Sequence, residues 1–435
     1  MRSCFMSRGI VGLPSATANS FGGVSCGVNE FFTTEANGTS VVATAGTFSN
    51  FKITTTVAPG ASKSLAFTFR VNGVSKTMTA TISGTGTSAS DIVNTDAVVA
   101  GDQVSFICVP TGTPTVTGII WIGLEFTGTT AKASTCMTTS FAPSQTATNY
   151  NGVFSTDRVA AAAGATVRNV IAVPGTITAT YMVISAAAGV GNSWKITLYK
   201  NGTAQDGTGG TPNTAVTISG NSAKTGNATY SLTVVAGDTI YMEIIPTSTP
   251  NAARMFWSVA ETATTDGQFN LCGSPPNNMS ATLTQYQFLC ANNSGQNWQT
   301  TEANGVTPGL VTTFTFGKLQ IITGAAAGAG KQYVLTPRVN SASPTNGPSV
   351  TISGASQTTG SDLVKTFALK STDTWDMAEA PTGTPTATTA IWGLAGTVGI
   401  VTPGGGKKKG GGGLLKVGPE NFVIWNAVNI LGGPV

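Results

Sequence analysis

The sequence predicts an all-β protein of three tandem antiparallel β-sandwich repeats, jelly-roll-like and about 135 residues each, followed by a Gly/Lys linker and an apolar C-terminal tail. Three observations predict this fold. Short motifs recur three times in a fixed order, and apolar residues alternate with polar ones at the period of a β-strand. No apolar stripe with the period of an α-helix extends over a helical length.

Four landmarks define the repeat: a small-residue turn, an Asn twelve residues after its glycine, the motif Thr-Ile-Ser-Gly, and an Asp eight residues before a Pro-Thr-x-Thr-Pro turn. The turn glycines are Gly60, Gly189 and Gly328, and the asparagines are Asn72, Asn201 and Asn340. The aspartates are Asp102, Asp238 and Asp373, and a Trp follows each proline turn at Trp121, Trp257 and Trp392. This spacing places the repeats at residues 1–130, 131–265 and 266–402.

Local patterns within a repeat indicate short strands and hairpins. The segment 63–73 alternates apolar Leu65, Phe67 and Phe69 with polar or small neighbours and ends in Asn-Gly, a strong signal for a tight hairpin turn. The second repeat carries an inserted glycine-rich stretch at 202–213. Because insertions concentrate at loop tips, we expect this hairpin end to face solvent.

The composition excludes several classes of function. Charged residues make up only 9% of the chain, and the net charge of +4 depends on a local lysine run, so the general basic face of a nucleic-acid-binding protein is missing. The chain has no His, which removes the commonest general base and metal ligand. With 40% apolar residues it can still build cores.

The proline turns and their tryptophans suit architecture better than chemistry. Two prolines four residues apart end strand pairing and stiffen the connection between two sheets. Trp121, Trp257 and Trp392 each lie in an apolar strand, which favours a role in the sandwich core. The alternative is a platform on which a sugar ring stacks.

The repeated acids Asp102, Asp238 and Asp373 are interpreted as turn residues that accept backbone N–H groups. Glycoside hydrolysis needs a second carboxyl group at a defined separation, and none repeats in register with them. A nucleophilic Ser or Cys would need a base for which the sequence offers no pairing. We therefore expect a non-enzymatic protein with no catalytic residue, no cofactor site and no metal site.

The six cysteines leave two alternatives open. Cys4–Cys26 and Cys272–Cys290 are candidate disulfides, each closing a loop of about 20 residues and contributing about 3 kcal/mol. Buried thiols are the other interpretation. Cys108 lies in an apolar strand and is expected in the core.

The C-terminal segments are a linker at 403–413, which contains Lys407, Lys408 and Lys409 among glycines, and an apolar tail at 414–435. The linker lacks the glycine spacing and the Lys-Ser/Thr pair of a phosphate-binding loop. We expect the tail to pack as an added strand, either on its own sandwich or on a neighbouring subunit.

Two arrangements of the three sandwiches remain open: an intrachain pseudo-trimer and an extended rod. The linkers near 127–135 and 260–270 are short, so the sandwiches should touch. No stretch of about 20 apolar residues predicts membrane insertion, and the first twenty residues lack the apolar segment of a secretory signal.

The segment 58–115 resembles a β-sandwich repeat of structural proteins from tailed phages and viral metagenomes. Its "APGASK" turn, "RVNG" hairpin, "TISG" and "AGD" followed by "PTGTP" carry the resemblance, which covers the central half of each repeat. The second repeat departs at the loop before "TISG", and the third has "STD" in place of Gly-Asp.

The resemblance implies a virion component of a tailed bacteriophage, of head-decoration, fibre or collar type. Such a protein is made in the host cytoplasm and released by lysis. Its expected partners are other virion proteins and further copies of itself, with a host-surface glycan as a candidate ligand and no nucleic acid. The alternative is an extracellular carbohydrate-binding or fibre-forming surface protein of a microbe.

Overall fold

The computed structural model describes residues 2–9, 13–25, 27–130, 132–138, 141–154, 162–290, 297–309 and 313–398. The linker at 403–413 and the tail at 414–435 lie outside the described residues, so their interpretations stay predictions. The described chain is all-β, and six sheets pair into three sandwiches. The predicted fold class is confirmed.

Each sandwich is built from a similar succession of strands. The strands of the first sandwich are β1 (Arg2–Gly9), β2 (Ser20–Gly22), β3 (Gly27–Asn29), β4 (Ser40–Val41), β5 (Gly46–Thr55), β6 (Gly60–Val71), β7 (Val74–Gly84), β8 (Ser88–Asp91), β9 (Asp96–Val98), β10 (Gln103–Thr111) and β11 (Ile120–Gly128). Those of the second are β12 (Ala133–Met137), β13 (Asn149–Asn151), β14 (Asn169–Val170), β15 (Gly175–Ile184), β16 (Gly189–Lys200), β17 (Thr203–Ala204), β18 (Val216–Gly220), β19 (Thr225–Val234), β20 (Thr239–Thr247) and β21 (Met255–Ala263). Those of the third are β22 (Gln268–Gly273), β23 (Gln285–Gln287), β24 (Thr307–Pro308), β25 (Phe314–Thr323), β26 (Gly328–Val339), β27 (Val350–Gly354), β28 (Thr359–Leu369), β29 (Thr374–Thr382) and β30 (Ala390–Val398). Short 3-10 helices span Glu35–Asn37, Gly164–Thr166, Thr208–Gly210 and Glu302–Asn304.

The two sheets of a sandwich differ in which strands they contain. The terminal sheet holds the first and last strands, in the orders β1-β11-β5-β8, β12-β21-β15-β19 and β22-β30-β25-β28. The middle sheet has the orders β2-β10-β6-β7, β13-β20-β16-β17 and β23-β29-β26-β27. The short strands β4, β14 and β24 also pair with β10, β20 and β29.

Strand order identifies the topology as a jelly roll. In the second sandwich, β13 and β14 pair with successive parts of β20, and β17 and β18 pair with successive parts of β16. Each pair therefore counts as one interrupted strand. Eight strands then lie in the orders 1-8-3-6 and 2-7-4-5, which is jelly-roll connectivity. The first sandwich differs by a short parallel pairing of β3 with β1 at the sheet edge.

The predicted alternation and hairpin turn are both present in β6 and its turn. Leu65, Phe67 and Phe69 are almost completely buried, whereas the residues between them are half-buried. Asn72 and Gly73 have φ angles of 51° and 78°, the left-handed pair that a two-residue hairpin turn requires. Local sequence therefore decides these elements.

The tryptophans that follow the proline turns do not occupy one position. Trp257 and Trp392 are fully buried in sandwich cores, as predicted. In the first sandwich Ile122, paired with Ile53, holds this core position, because one more residue separates the proline turn from the strand. A one-residue shift moves a side chain to the other face of a sheet. Trp121 therefore lies on the outer face, and its interpretation as a core residue was wrong.

The core of the third sandwich contains a carboxyl group. Glu379 is fully buried at the position that Cys108 and Ile244 occupy in the other two cores. Its Oε1 accepts a hydrogen bond from the Ser280 backbone N–H at 3.2 Å. Burial raises the pKa of Glu379 to about 8, since the charged form is poorly solvated there.

We expect this acid to make stability depend on pH. The pKa of Glu379 in the folded protein lies above its ordinary value, so its contribution to the free energy of unfolding is complete below about pH 4.5 and is lost as the pH rises through about 8. Wild type should therefore lose stability between about pH 5 and pH 8, and Glu379→Gln should lose less. We expect the difference in unfolding free energy between variant and wild type to rise by about 1 kcal/mol or more over this range. Urea denaturation at the two pH values measures this difference.

The matched control for the pH test is Asp206→Asn. Asp206 lies in the glycine-rich loop at 202–213, and the Thr208 backbone N–H holds its pKa below the ordinary value. Its substitution should leave the difference between the two pH values unchanged. A Glu379→Gln variant whose stability tracks wild type across this range would contradict the burial of an ionisable acid.

Candidate functional site

The first candidate site is the set of contacts between sandwiches. The short strands β4, β14 and β24, here called the docking strands, occupy equivalent positions at the edge of each middle sheet. Each docking strand, with the residues after it, lies against the terminal sheet of another sandwich. The three contacts use the same elements and differ in chemistry.

The first sandwich docks on the second through hydrogen bonds and apolar packing. The Ser40 hydroxyl donates to the carbonyl oxygen of Thr138 at 2.9 Å, and the Ala43 backbone N–H donates to the Thr135 hydroxyl at 3.0 Å. Val41 packs with Phe256 on the outer face of the terminal sheet. These polar groups are buried, so each needs the hydrogen bond that the other sandwich supplies, because water cannot replace it there.

The second sandwich docks on the third in the same way. The Asn270 side-chain oxygen accepts the backbone N–H groups of Ala172 and Val173 at 2.9 and 2.8 Å. Asn270 and Thr135 occupy equivalent places, because each pairs with an alanine at the same position of the last strand. A side chain at Gly393 would overlap the carbonyl oxygen of Val170, so glycine permits the close approach.

The third sandwich docks on the first and closes the set. The Lys52 ammonium donates to the carbonyl oxygens of Gly309 and Ser371 at 2.9 and 2.8 Å. Burial lowers the pKa of Lys52. Trp121 and Pro308 line the same small cavity between the two sandwiches. Because the first and third sandwiches touch, the extended rod is excluded and the pseudo-trimer is the arrangement of the described chain.

The repeated aspartates have the predicted turn role. The Asn72 side-chain amide donates to Asp102 Oδ1 at 2.7 Å, and the Val99 backbone N–H donates to Asp102 Oδ2 at 2.8 Å. The same pairs recur in the other repeats as Asn201 with Asp238 and Asn340 with Asp373. Two of the four sequence landmarks, the Asn and the Asp, are thus joined by the same hydrogen bond in each repeat.

The cysteine alternatives resolve for one pair. Cys272 is a thiol whose Sγ donates to the carbonyl oxygen of Val170 at 3.2 Å, and Cys290 is fully buried, so the structure supports buried thiols here. Cys26 and the side chain of Cys4 lie outside the described residues. Cys108 is a buried thiol in the core, as predicted, and burial raises its pKa.

A second candidate site lies on the outer face of the middle sheet, where sequence reasoning placed nothing. In the first sandwich Arg70 donates from Nε to Glu35 Oε1 at 2.9 Å and lies 5.7 Å from the ring centre of Phe21. In the third, Arg338 makes the same contacts with Glu302 and Tyr286. One signal could have revealed this pair: the hexapeptide Thr-Thr-Glu-Ala-Asn-Gly occurs at both 33–38 and 300–305.

The second sandwich replaces this ion pair with a tyrosine cluster. Tyr199 takes the position of the arginine and stacks on Tyr241, with ring centres 4.9 Å apart. Gly164 takes the position of the glutamate, and a side chain there would overlap the Tyr241 ring. The Tyr150 hydroxyl donates to Glu243 Oε1 at 3.3 Å. Burial first, and then Glu243, raise the pKa of Tyr199 to about 12.

Comparison with known proteins adds no relative: no protein-family model matches the chain, and no curated protein sequence matches it. Among the residues that the structure describes, no group of three or more His, Cys, Asp and Glu side chains is placed to hold a metal ion. No helix in the described ranges is long and apolar enough to cross a membrane.

We expect Lys52→Met to weaken the contact that joins the first and third sandwiches. The substitution removes two charge-assisted hydrogen bonds and leaves two carbonyl oxygens without this donor, so it should lower the unfolding free energy by about 1–3 kcal/mol. Urea denaturation measures the loss. Lys76→Met, at an exposed strand position, is the control and should change little. Equal midpoints for both variants would contradict the assigned role of Lys52.

Proposed function

We propose that the chain is a structural component of a tailed-phage virion, of head-decoration, fibre or collar type, and that it works through protein–protein contacts. The observation that carries the proposal is the closure of three jelly rolls through equivalent docking strands. The repeated module devotes a sheet edge and a sheet face to binding another module. Surfaces with that use are typical of proteins whose function is assembly.

The resemblance of segment 58–115 to phage and viral sandwich repeats supports the same proposal. The jelly roll is a fold that viral capsid proteins use widely, although fold alone does not fix function. Only 9% of the residues of the chain are charged, so the stability of its surface contacts depends little on salt, which suits a particle exposed to varied media.

The pseudo-threefold arrangement adds a geometric argument. Three equivalent modules in one chain present each outer loop three times, as a homotrimer would. Such a chain can occupy a position of threefold symmetry without the assembly step that a trimer needs. Its modules can also diverge singly, as the tyrosine cluster of the second sandwich illustrates.

The alternative function is that of an extracellular carbohydrate-binding or fibre-forming surface protein of a microbe. The tyrosine cluster favours it, because aromatic rings beside a carboxylate suit the apolar faces and hydroxyl groups of sugars. The tryptophans first considered for that role are buried, which moves this candidate to Tyr150, Tyr199 and Glu243.

Immunogold electron microscopy of purified virus particles tests the proposal, with an antibody raised against the purified chain. We expect label at regular positions on heads, necks or tails. A glycan array probed with the purified protein tests the alternative. Saturable sugar binding together with unlabelled particles would overturn the virion assignment.

A further inference from the structure

We propose that the tyrosine cluster of the second sandwich, here Tyr150, Tyr199, Tyr241 and Glu243, binds the guanidinium group of an arginine side chain from a partner protein. The inference does not depend on the virion proposal. It rests on a comparison of three equivalent surfaces within one chain.

The two sister surfaces already hold a guanidinium group. In each, an arginine of the middle sheet binds a glutamate through Nε and a terminal nitrogen and lies near an aromatic ring. The distances to the ring centres are 5.7 Å for Arg70 and 5.4 Å for Arg338, within the range of a cation–π contact. The chain supplies its own cation at these two surfaces.

The second sandwich keeps the ring and the carboxylate but has Tyr199 at the position of the arginine. Tyr150 occupies the ring position, because it pairs across from β20 as Phe21 and Tyr286 pair across from β10 and β29. The residue directly opposite is Glu243, where the sister sandwiches have Ile107 and Ala378. The carboxylate has therefore moved from the 3-10 helix to the strand.

In the described part of the chain, the contacts of the Glu243 carboxylate include no cation. This half-buried carboxylate accepts a hydrogen bond from Tyr150, and within the described ranges it forms no ion pair. Arg168 acts electrostatically on Tyr241. A carboxylate beside aromatic faces suits a planar cation with several donors, because the ring faces and the carboxylate both attract the positive charge.

The Thr197 hydroxyl is a further polar group at this surface. Thr197 pairs directly opposite Glu243 and is 2% exposed, and its hydroxyl has no hydrogen-bond partner among the described residues. The equivalent hydroxyls of Thr68 and Thr336 contact the hydroxyls of Thr79 and Ser349, at 3.3 and 2.9 Å. A donor group that enters beside Glu243 would satisfy the Thr197 hydroxyl.

Fluorine NMR of protein labelled with 3-fluorotyrosine tests the inference. The chain has seven tyrosines, so the resonances can be assigned with single Tyr→Phe variants. Titration with N-acetyl-arginine amide should shift the Tyr150 and Tyr199 resonances saturably, with a dissociation constant on the order of millimolar. The neutral isostere N-acetyl-citrulline amide should not shift them.

Glu243→Gln should weaken arginine-amide binding by about tenfold or more, because the charge-assisted hydrogen bonds are lost. The matched control is Glu35→Gln, which alters the sister surface and should leave the titration unchanged. Unmoved Tyr230 and Tyr333 resonances verify that the variants are folded, and Tyr150→Leu provides a second variant that should also weaken binding.

Three results would overturn the inference. Arginine amide could fail to give a saturable shift, citrulline amide could bind equally well, or methyl glycosides could saturate the site in place of both. The last result would assign the cluster to a carbohydrate.

Discussion

The packing of a docking strand on the outer face of a neighbouring terminal sheet is the interaction on which the described molecule depends. A jelly roll buries one face of each sheet in its own core and leaves the other face to solvent or to a partner. Here that partner is another module of the same chain. The contact places Ala43 and Ala172 against equivalent polar side chains, Thr135 and Asn270, which accept hydrogen bonds from their backbone N–H groups. Met1–Gly399 forms one compact unit as a result.

The three contacts keep their geometry while their chemistry diverges. Between the first two sandwiches, the packing of Val41 on Phe256 is combined with hydrogen bonds of Ser40 and Ala43. Between the second and third, the contact depends on Asn270. The closing contact depends on the ammonium group of Lys52. Because no peptide linker joins the first and third sandwiches directly, their contact has to supply its own orientation, and two directed hydrogen bonds provide it.

The outer faces of the three middle sheets carry two different sets of side chains. The first and third sandwiches pair their arginine internally with Glu35 and Glu302. The second has lost both groups and carries tyrosines and Glu243 in their place. Its neighbouring hairpin also holds the insertion at 202–213. The tyrosine cluster and the insertion thus both fall in the second module.

The sequence by itself determined the all-β class, the three repeats, the alternating strands and the turn role of Asp102, Asp238 and Asp373, because these features follow from residues close together in the chain. Spacing alone misplaced Trp121, since a one-residue difference in a loop reverses the face of a strand and leaves the neighbouring motif intact. Only the tertiary structure decided the closed arrangement, the contacts of Lys52 and the partners of Arg70 and Arg338. Those contacts join residues tens to hundreds of positions apart, and no local period records which side chains will meet across them.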